Sequence, residues 1–552
     1  MTRPRTRRFA FGIVPGLIIV MLVALAVSGA FNSKRSIRLD TLGTAGAGSV
    51  GAAPAKPPVL ICGNHKLLDG PKKAPQGAVR VPAGNNAHIF AYKLPANKTY
   101  YFAPGTHTLG SGKFAQIDPG TNDRFIGAPG AILSGKMRNY VAFGPTADNV
   151  KIEHLTIEQF KAPGNQGAIT TRTGWTLSYN TVRNNLPGTG VYAGSRAVLS
   201  HNCLTRNGQQ AFAAYTVTDT SSLTRGARDV VISDNEISFN NTCNWEAFKH
   251  FPTKVPGGCK GAGENSGCGC SGGGKFWATD NGTFLDNYVH NNYSVGMWAD
   301  TNNTGFQIQG NYFANNLAEA IIYEISYNAV ILDNTFIHNA VFTGPGNPGF
   351  PESAVYVSES GGDSRVPGRF SGQFRISGNV FTNNWSGVVL WENANRYCSS
   401  SANTSTGDCT LVNRKVANLK TCANPRLLAK KPYYSDCRWQ TKNVRVTGNV
   451  FRFTPHGVDK FCKESSGCGF NGVFSQYGTY KPYTAYRVPI AISDGQHNMF
   501  SHNSYYGPWH FDVFSQGIFV GWKQWTRGLT VGLNANKHVR NQEVGSKLNG
   551  HA

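Results

Sequence analysis

Residues 282–292 read GTFLDNYVHNN, residues 305–316 GFQIQGNYFANN and residues 329–339 AVILDNTFIHN. All three are one phrase, apolar-x-apolar-x-x-Asn-x-apolar-x-x-Asn. It also occurs as WTLSYNTVRNN (175–185), AVLSHNCLTRN (197–207), VVISDNEISFNN (230–241), FRISGNVFTNN (374–384) and VRVTGNVF (444–451). The first asparagines are Asn180, Asn202, Asn235, Asn287, Asn311, Asn334, Asn379 and Asn449, at intervals of 22, 33, 52, 24, 23, 45 and 70 residues. A unit of 22 to 24 residues, interrupted by insertions, accounts for the series. That period is too short for helix-pair repeats, and the leucine framework of a leucine-rich repeat is missing. Two short alternating runs broken at an asparagine suit one coil of a parallel β-helix, whose strands stack on the previous coil about 4.8 Å away. Each asparagine then lies over its equivalent and bonds along the stack as a ladder. Asn also tolerates the left-handed turn conformation, so these residues read as structural.

Composition agrees. Among 552 residues there are 64 glycines and only 15% charged residues, a turn-rich β composition. The N-terminus, MTRPRTRRF, is basic, and Ile13 to Val27 is nearly all aliphatic. The first 31 residues fit both a cleaved export signal and an uncleaved anchor spanning the membrane through residues 9–31. Either way the body is exported, secreted or held on the outer side of a membrane. Residues 32–58 read as a Gly/Ala/Ser-rich linker, 59–510 as the β-helix and 511–552 as a closing segment.

Export makes the 12 cysteines legible as disulfides pinning insertions. Cys398/Cys409, Cys422/Cys437, Cys462/Cys468 and the cluster Cys243, Cys259, Cys268, Cys270 lie in loop-like sequence, with the pairing open. CGC is not CxxC, which disfavours zinc. The net charge is +23, and positive residues are dense between Leu411 and Arg445. A basic exported chain expects an acidic polysaccharide or cell-wall polymer as partner. Export and the lack of any recognition motif speak against nucleic acid. A solenoid with its own closing segment is expected to be a monomer.

The repeat, together with the entry segment YFAPGTHTLGSGKFAQIDPGTNDRFIGAPGAILSGK (Tyr101 to Lys136), resembles the exported right-handed parallel β-helix proteins of the pectate-lyase-like superfamily. The resemblance runs over roughly Tyr100 to Asn503. It implies an all-β, single-stranded right-handed parallel β-helix. It leaves the reaction open, because that scaffold carries lyases, hydrolases, isomerases and non-catalytic adhesins.

Counting 13 residues on from Asn287 reaches Asp300, and 13 on from Asn311 reaches Glu324. A 24-residue coil between them stacks the two carboxylates about 5 Å apart. Glu392 stands 13 after Asn379, but aligning the strands on glycine sets it one residue out of step. Lys275 precedes Asp300 by one coil, behind Gly272, Gly273 and Gly274, which are expected to leave the backbone uncovered. Trp277, Trp298, Tyr323, Tyr356 and Trp391 recur on the same strand and, with Glu392, are the expected sugar contacts. Lys275, Asp300 and Glu324 form the expected catalytic centre.

Two reactions and one binding role remain open. In β-elimination, Lys275 is the base, and Asp300 and Glu324 hold a Ca²⁺. Some pectate lyases of the resembled group use a lysine with acidic calcium ligands just downstream, and the order here is similar without their run of adjacent aspartates. In hydrolysis, Asp300 and Glu324 at this spacing imply retention, whereas Asp300 with Glu359 or Glu392 gives the wider inverting gap. The third reading is an adhesin that holds a glycan without cutting it. Glu246, Lys249 and His250, in a long insertion, are secondary candidates for capping the groove.

Overall fold

A computed structural model describes residues 56–215, 226–260, 271–346, 351–401, 409–462, 467–530 and 538–549. The expected targeting segment, most of the linker, and Cys268 and Cys270 lie outside these residues. No helix among the described residues is long and apolar enough to cross a membrane.

The alternating phrase does fold as coils. Among the described residues, strands of successive coils pair in parallel into three long sheets of 13, 14 and 11 strands. The sole antiparallel addition to these three is Phe519–Val520 on His510–Ser515. Apolar positions of the phrase turn inward and stack. Phe313, Phe336, Phe381, Phe451 and Tyr505 form a continuous ring column with spacings of 5.3, 4.7, 4.6 and 4.9 Å. At the C-terminal end, the Trp525 ring stacks 4.8 Å from Phe511.

The asparagines form two buried ladders. From Asn202 through Asn449 to Asn503, each Oδ1 accepts from the backbone N–H and the side-chain amide of the asparagine one coil earlier, beginning with Asn180, for example Asn287 N to Asn311 Oδ1 at 2.9 Å and Asn287 Nδ2 to the same oxygen at 3.0 Å. Asn185, Asn207, Asn240, Asn292, Asn316, Asn339 and Asn384 repeat the device at the second turn. The left-handed turn conformation falls on the residue before each ladder asparagine, not on the asparagine itself: His201, Asp234, Asp286 and Asp333 have φ near +55°, and Gly310, Gly378 and Gly448 near +68°. The ladder asparagine is kept for its amide, and its predecessor makes the bend.

Four disulfides join described residues: Cys62–Cys203, Cys243–Cys259, Cys422–Cys437 and Cys462–Cys468. Cys398 and Cys409 stand as buried thiols. Their Sγ atoms lie within 4.8 Å of each other and of Cys422 Sγ, which its own disulfide removes as a thiolate ligand.

Candidate active site

Five strands of the 11-stranded sheet carry the site: β1 (Gly272–Trp277), β2 (Val295–Asp300), β3 (Ile321–Glu324), β4 (Val355–Ser358) and β5 (Val388–Glu392). Alternation sends Phe276, Ala299, Tyr323, Val357 and Leu390 into the core, all fully buried, and turns their neighbours outward. The register stacks two outward columns. Lys275, Trp298, Ile322, Tyr356 and Val389 form one, and Trp277, Asp300, Glu324, Ser358 and Trp391 the other. Asp300 is therefore paired with Glu324, as their 24-residue separation requires.

Lys275 Nζ lies 2.8 Å from Asp300 Oδ2. The same ammonium sits 4.1 Å from the Trp298 ring centroid and 5.4 Å from that of Trp277. Asp300 Oδ1 accepts from Thr301 Oγ1 at 2.9 Å. The three glycines before Lys275 do not bare the backbone to a ligand. They are buried, and a Cβ on Gly274 would lie 2.1 Å from the Phe212 ring, so the missing side chain makes room for the core.

Glu324 is held differently. Arg396, from the insertion after β5, binds Glu324 Oε1 and reaches Glu359 Oε2 at 2.9 Å. Burial raises the Glu324 pKa, the Asp300 and Glu359 charges add to that, and Arg396 opposes it. Asp300 and Glu324 are thus each already matched by a side-chain cation. A Ca²⁺ between them would stand beside an ammonium and a guanidinium, so this donor set does not fit the ion.

The remaining expected contacts divide. Trp277 and Trp298 stay partly exposed on the outer face. Tyr323 points into the core, with its ring 4.9 Å from Phe374 and 6.0 Å from Phe306, because it follows the outward Ile322 by one residue. Tyr356 and Trp391 face outward but are covered, at 0% and 4% exposure. Glu392 falls one residue beyond the column, as the glycine alignment indicates, and is sealed by Arg438 Nη1 at 2.9 Å and by Gln496. Desolvation pushes its carboxyl up to about 7 despite the Arg438 charge. Tyr323, Tyr356, Trp391 and Glu392 are therefore out of reach of a polymer.

One cavity reaches Lys275, and a second opens at Trp298. The smaller, about 380 Å³, is lined by Lys275, Trp277, Tyr192, Tyr215, Asn165 and Gln210. The larger, about 880 Å³, is lined by Trp298 and by Glu246, Lys249 and His250, and Lys275 is not among its lining residues. Tyr192 and Tyr215, not singled out from the sequence, have rings 6.1 Å apart at 87°. They lie outside the Trp-x-Asp motif, and only their place on earlier coils of the same sheet marks them.

Residues 166–368 match the sequence family described as the right handed beta helix region. The protein is a right-handed parallel β-helix. No curated protein sequence matches the chain. Among solved structures, this β-helix is similar to the A-module of the mannuronan C-5 epimerase AlgE4 of Azotobacter vinelandii (14% identity, 58% of this chain and 83% of that one, TM-score 0.35). It is also similar to a PL6 alginate lyase in complex with a trisaccharide (12% identity, 87% of each chain, TM-score 0.37). A third likeness is to PfbA, a surface adhesin of Streptococcus pneumoniae (10% identity, 88% and 87% covered, TM-score 0.32). At these identities the likeness is one of fold.

Proposed function

We propose that this β-helix binds an extended acidic polysaccharide across its outer face and cleaves it by β-elimination, with Lys275 as the base. The observation that carries the reading is the position of Lys275: a lysine against two tryptophan faces, in the wall of a cavity of about 380 Å³. A uronate stacked on Trp277 or Trp298 through its apolar face would bring its C5–H toward Nζ. The neutral amine takes that proton, the C5–H electron pair becomes the C4=C5 double bond, and the bond from C4 to the glycosidic oxygen breaks with its electron pair going to that oxygen, which takes a proton from water. Lys275 rests as an ammonium paired with Asp300 2.8 Å away and must first release its proton to solvent; the ion pair re-forms when the amine takes up the C5 proton. Hydrolysis by Asp300 and Glu324 is disfavoured because both carboxylates are already held in ion pairs.

The test is incubation of the purified protein with polygalacturonate, alginate and glycosaminoglycans. Ultraviolet absorbance of the unsaturated sugar reports elimination. New reducing ends without that absorbance mean hydrolysis, and glycan binding with neither signal means an adhesin. Lys275→Ala is expected to lower the elimination rate at least about 100-fold, the lower end of general-base effects. Lys275→Arg, which keeps the charge but holds its proton, should lose as much. Wild-type rates in either variant would remove Lys275 from the chemistry.

A further inference from the structure

The larger cavity contains a second chemical feature that elimination at Lys275 does not use. Glu319, just before β3, and Glu352, just before β4, both line it and are 2% and 4% exposed. Burial, with the Glu352 charge beside it, raises the Glu319 carboxyl well above its ordinary value, and two adjacent buried carboxyls shed charge by keeping a proton between them. Glu352 Oε2 also accepts from Thr343 Oγ1 at 2.7 Å. Glu319 Oε1 has no hydrogen-bond partner, and Glu319 makes no ion pair among the described residues. In the same cavity the Trp298 Nε1–H has no acceptor. The walls between these groups are apolar and aromatic, with Phe248, Phe342 and Phe461.

A buried carboxyl pair neutralised by a proton is a place where a cation can replace that proton. A bare metal ion would satisfy the carboxylates but would leave the Trp298 N–H without an acceptor and the aromatic walls unused. A neutral sugar would use the walls and leave the acid pair unchanged. An organic ammonium that also carries hydroxyls meets all three features. We propose that this cavity is a binding site for an amine-bearing sugar, whose ammonium seats against Glu319 and Glu352 while a hydroxyl accepts from Trp298 Nε1. The charged and titratable groups near the pair are Glu324 at the far end of β3 with Arg396 bound to it, Glu246, Lys249 and His250 in the insertion, and Asp459.

The experiment is calorimetric titration of the full chain at pH 6 with a glucosamine tetramer and with its fully N-acetylated counterpart, in two buffers of different ionisation heat. The amine oligomer is expected to bind and to release about one proton per site as it displaces the shared one. The acetylated oligomer is expected not to bind. Glu319→Gln should weaken amine binding at least about tenfold, the loss of one charge-assisted hydrogen bond. Equal affinity for both oligomers, binding of neither, or amine binding without proton release in the wild-type chain would each overturn the proposal. So would unchanged affinity in folded Glu319→Gln, or a Glu319-dependent isotherm with calcium chloride in place of the amine. None of these outcomes depends on whether Lys275 catalyses elimination.

Discussion

Arg396 shows what a single residue decides on this face. Its guanidinium is 8% exposed and binds Glu324 and Glu359 at once, so two buried carboxylates depend on one cation. Replacement by the uncharged and similarly long Met leaves both acids desolvated and facing each other. Breaking a buried pair in this way costs about 3–5 kcal/mol. Arg396→Met should therefore lower the guanidinium unfolding midpoint clearly, and Glu324→Gln in the same background should recover part of the loss. An unchanged midpoint would mean that water already screens the trio. Glu324 was legible in the sequence because its position repeats that of Asp300 one coil on. Arg396 was not, because it lies 72 residues from Glu324 in an insertion, and no period links an insertion to a strand. Glu319 and Glu352 were missed for a related reason: they precede their strands, where the repeat phrase has no chemistry to count from.

At the scale of one element, the ladder asparagine is the unit that makes a coil stackable. Asn311 donates from Nδ2 to Phe284 O at 2.8 Å, to Gln309 O at 3.1 Å and to Asn334 Oδ1 at 2.9 Å. Its own Oδ1 accepts from Asn287. Asn311→Ala strands these buried partners, and each unsatisfied group costs roughly 1–3 kcal/mol. The variant is expected to lose about 3 kcal/mol or more in chemical denaturation, whereas Asn315→Ala, at an adjacent turn position outside the ladder, should lose much less. A similar loss at both positions would show that turn conformation, and not the amide, is what the phrase preserves. This element was the most readable part of the chain, since a ladder needs the same residue at the same place in every coil. Alternation within the strand was harder to read. Tyr323 and Trp298 look alike in sequence, yet one faces the core and the other the cavity, and only the paired register separates them.

Across the whole molecule, the covered outer face concentrates acids that the fold prefers to keep protonated. Desolvation moves Glu246 and Glu392 from 4.5 to about 7 and Asp512 from 3.8 to about 7. In the unfolded chain these carboxyls lose their protons near their ordinary values. Between there and pH 7 the folded state therefore binds more protons, and stability falls as pH rises through that window. Asp363 has the opposite sign. Burial alone would raise it, but hydrogen bonds from Arg365 and Lys442 override that and hold it at about 2. Its contribution is complete above its unfolded value and is lost only toward pH 2. The two trends place maximal stability near pH 4–5, lower than usual for a chain of such basic composition. Scanning calorimetry should show Tm highest near pH 5, falling to about pH 7–8 and then levelling once the buried acids have ionised. A Tm that rises from pH 5 to pH 8 would mean that these carboxyls are neutralised in the folded state by something other than protons. The amine site is read separately by repeating the scan with the glucosamine tetramer: a ligand that replaces the shared proton at Glu319 and Glu352 should raise Tm more at pH 7 than at pH 5.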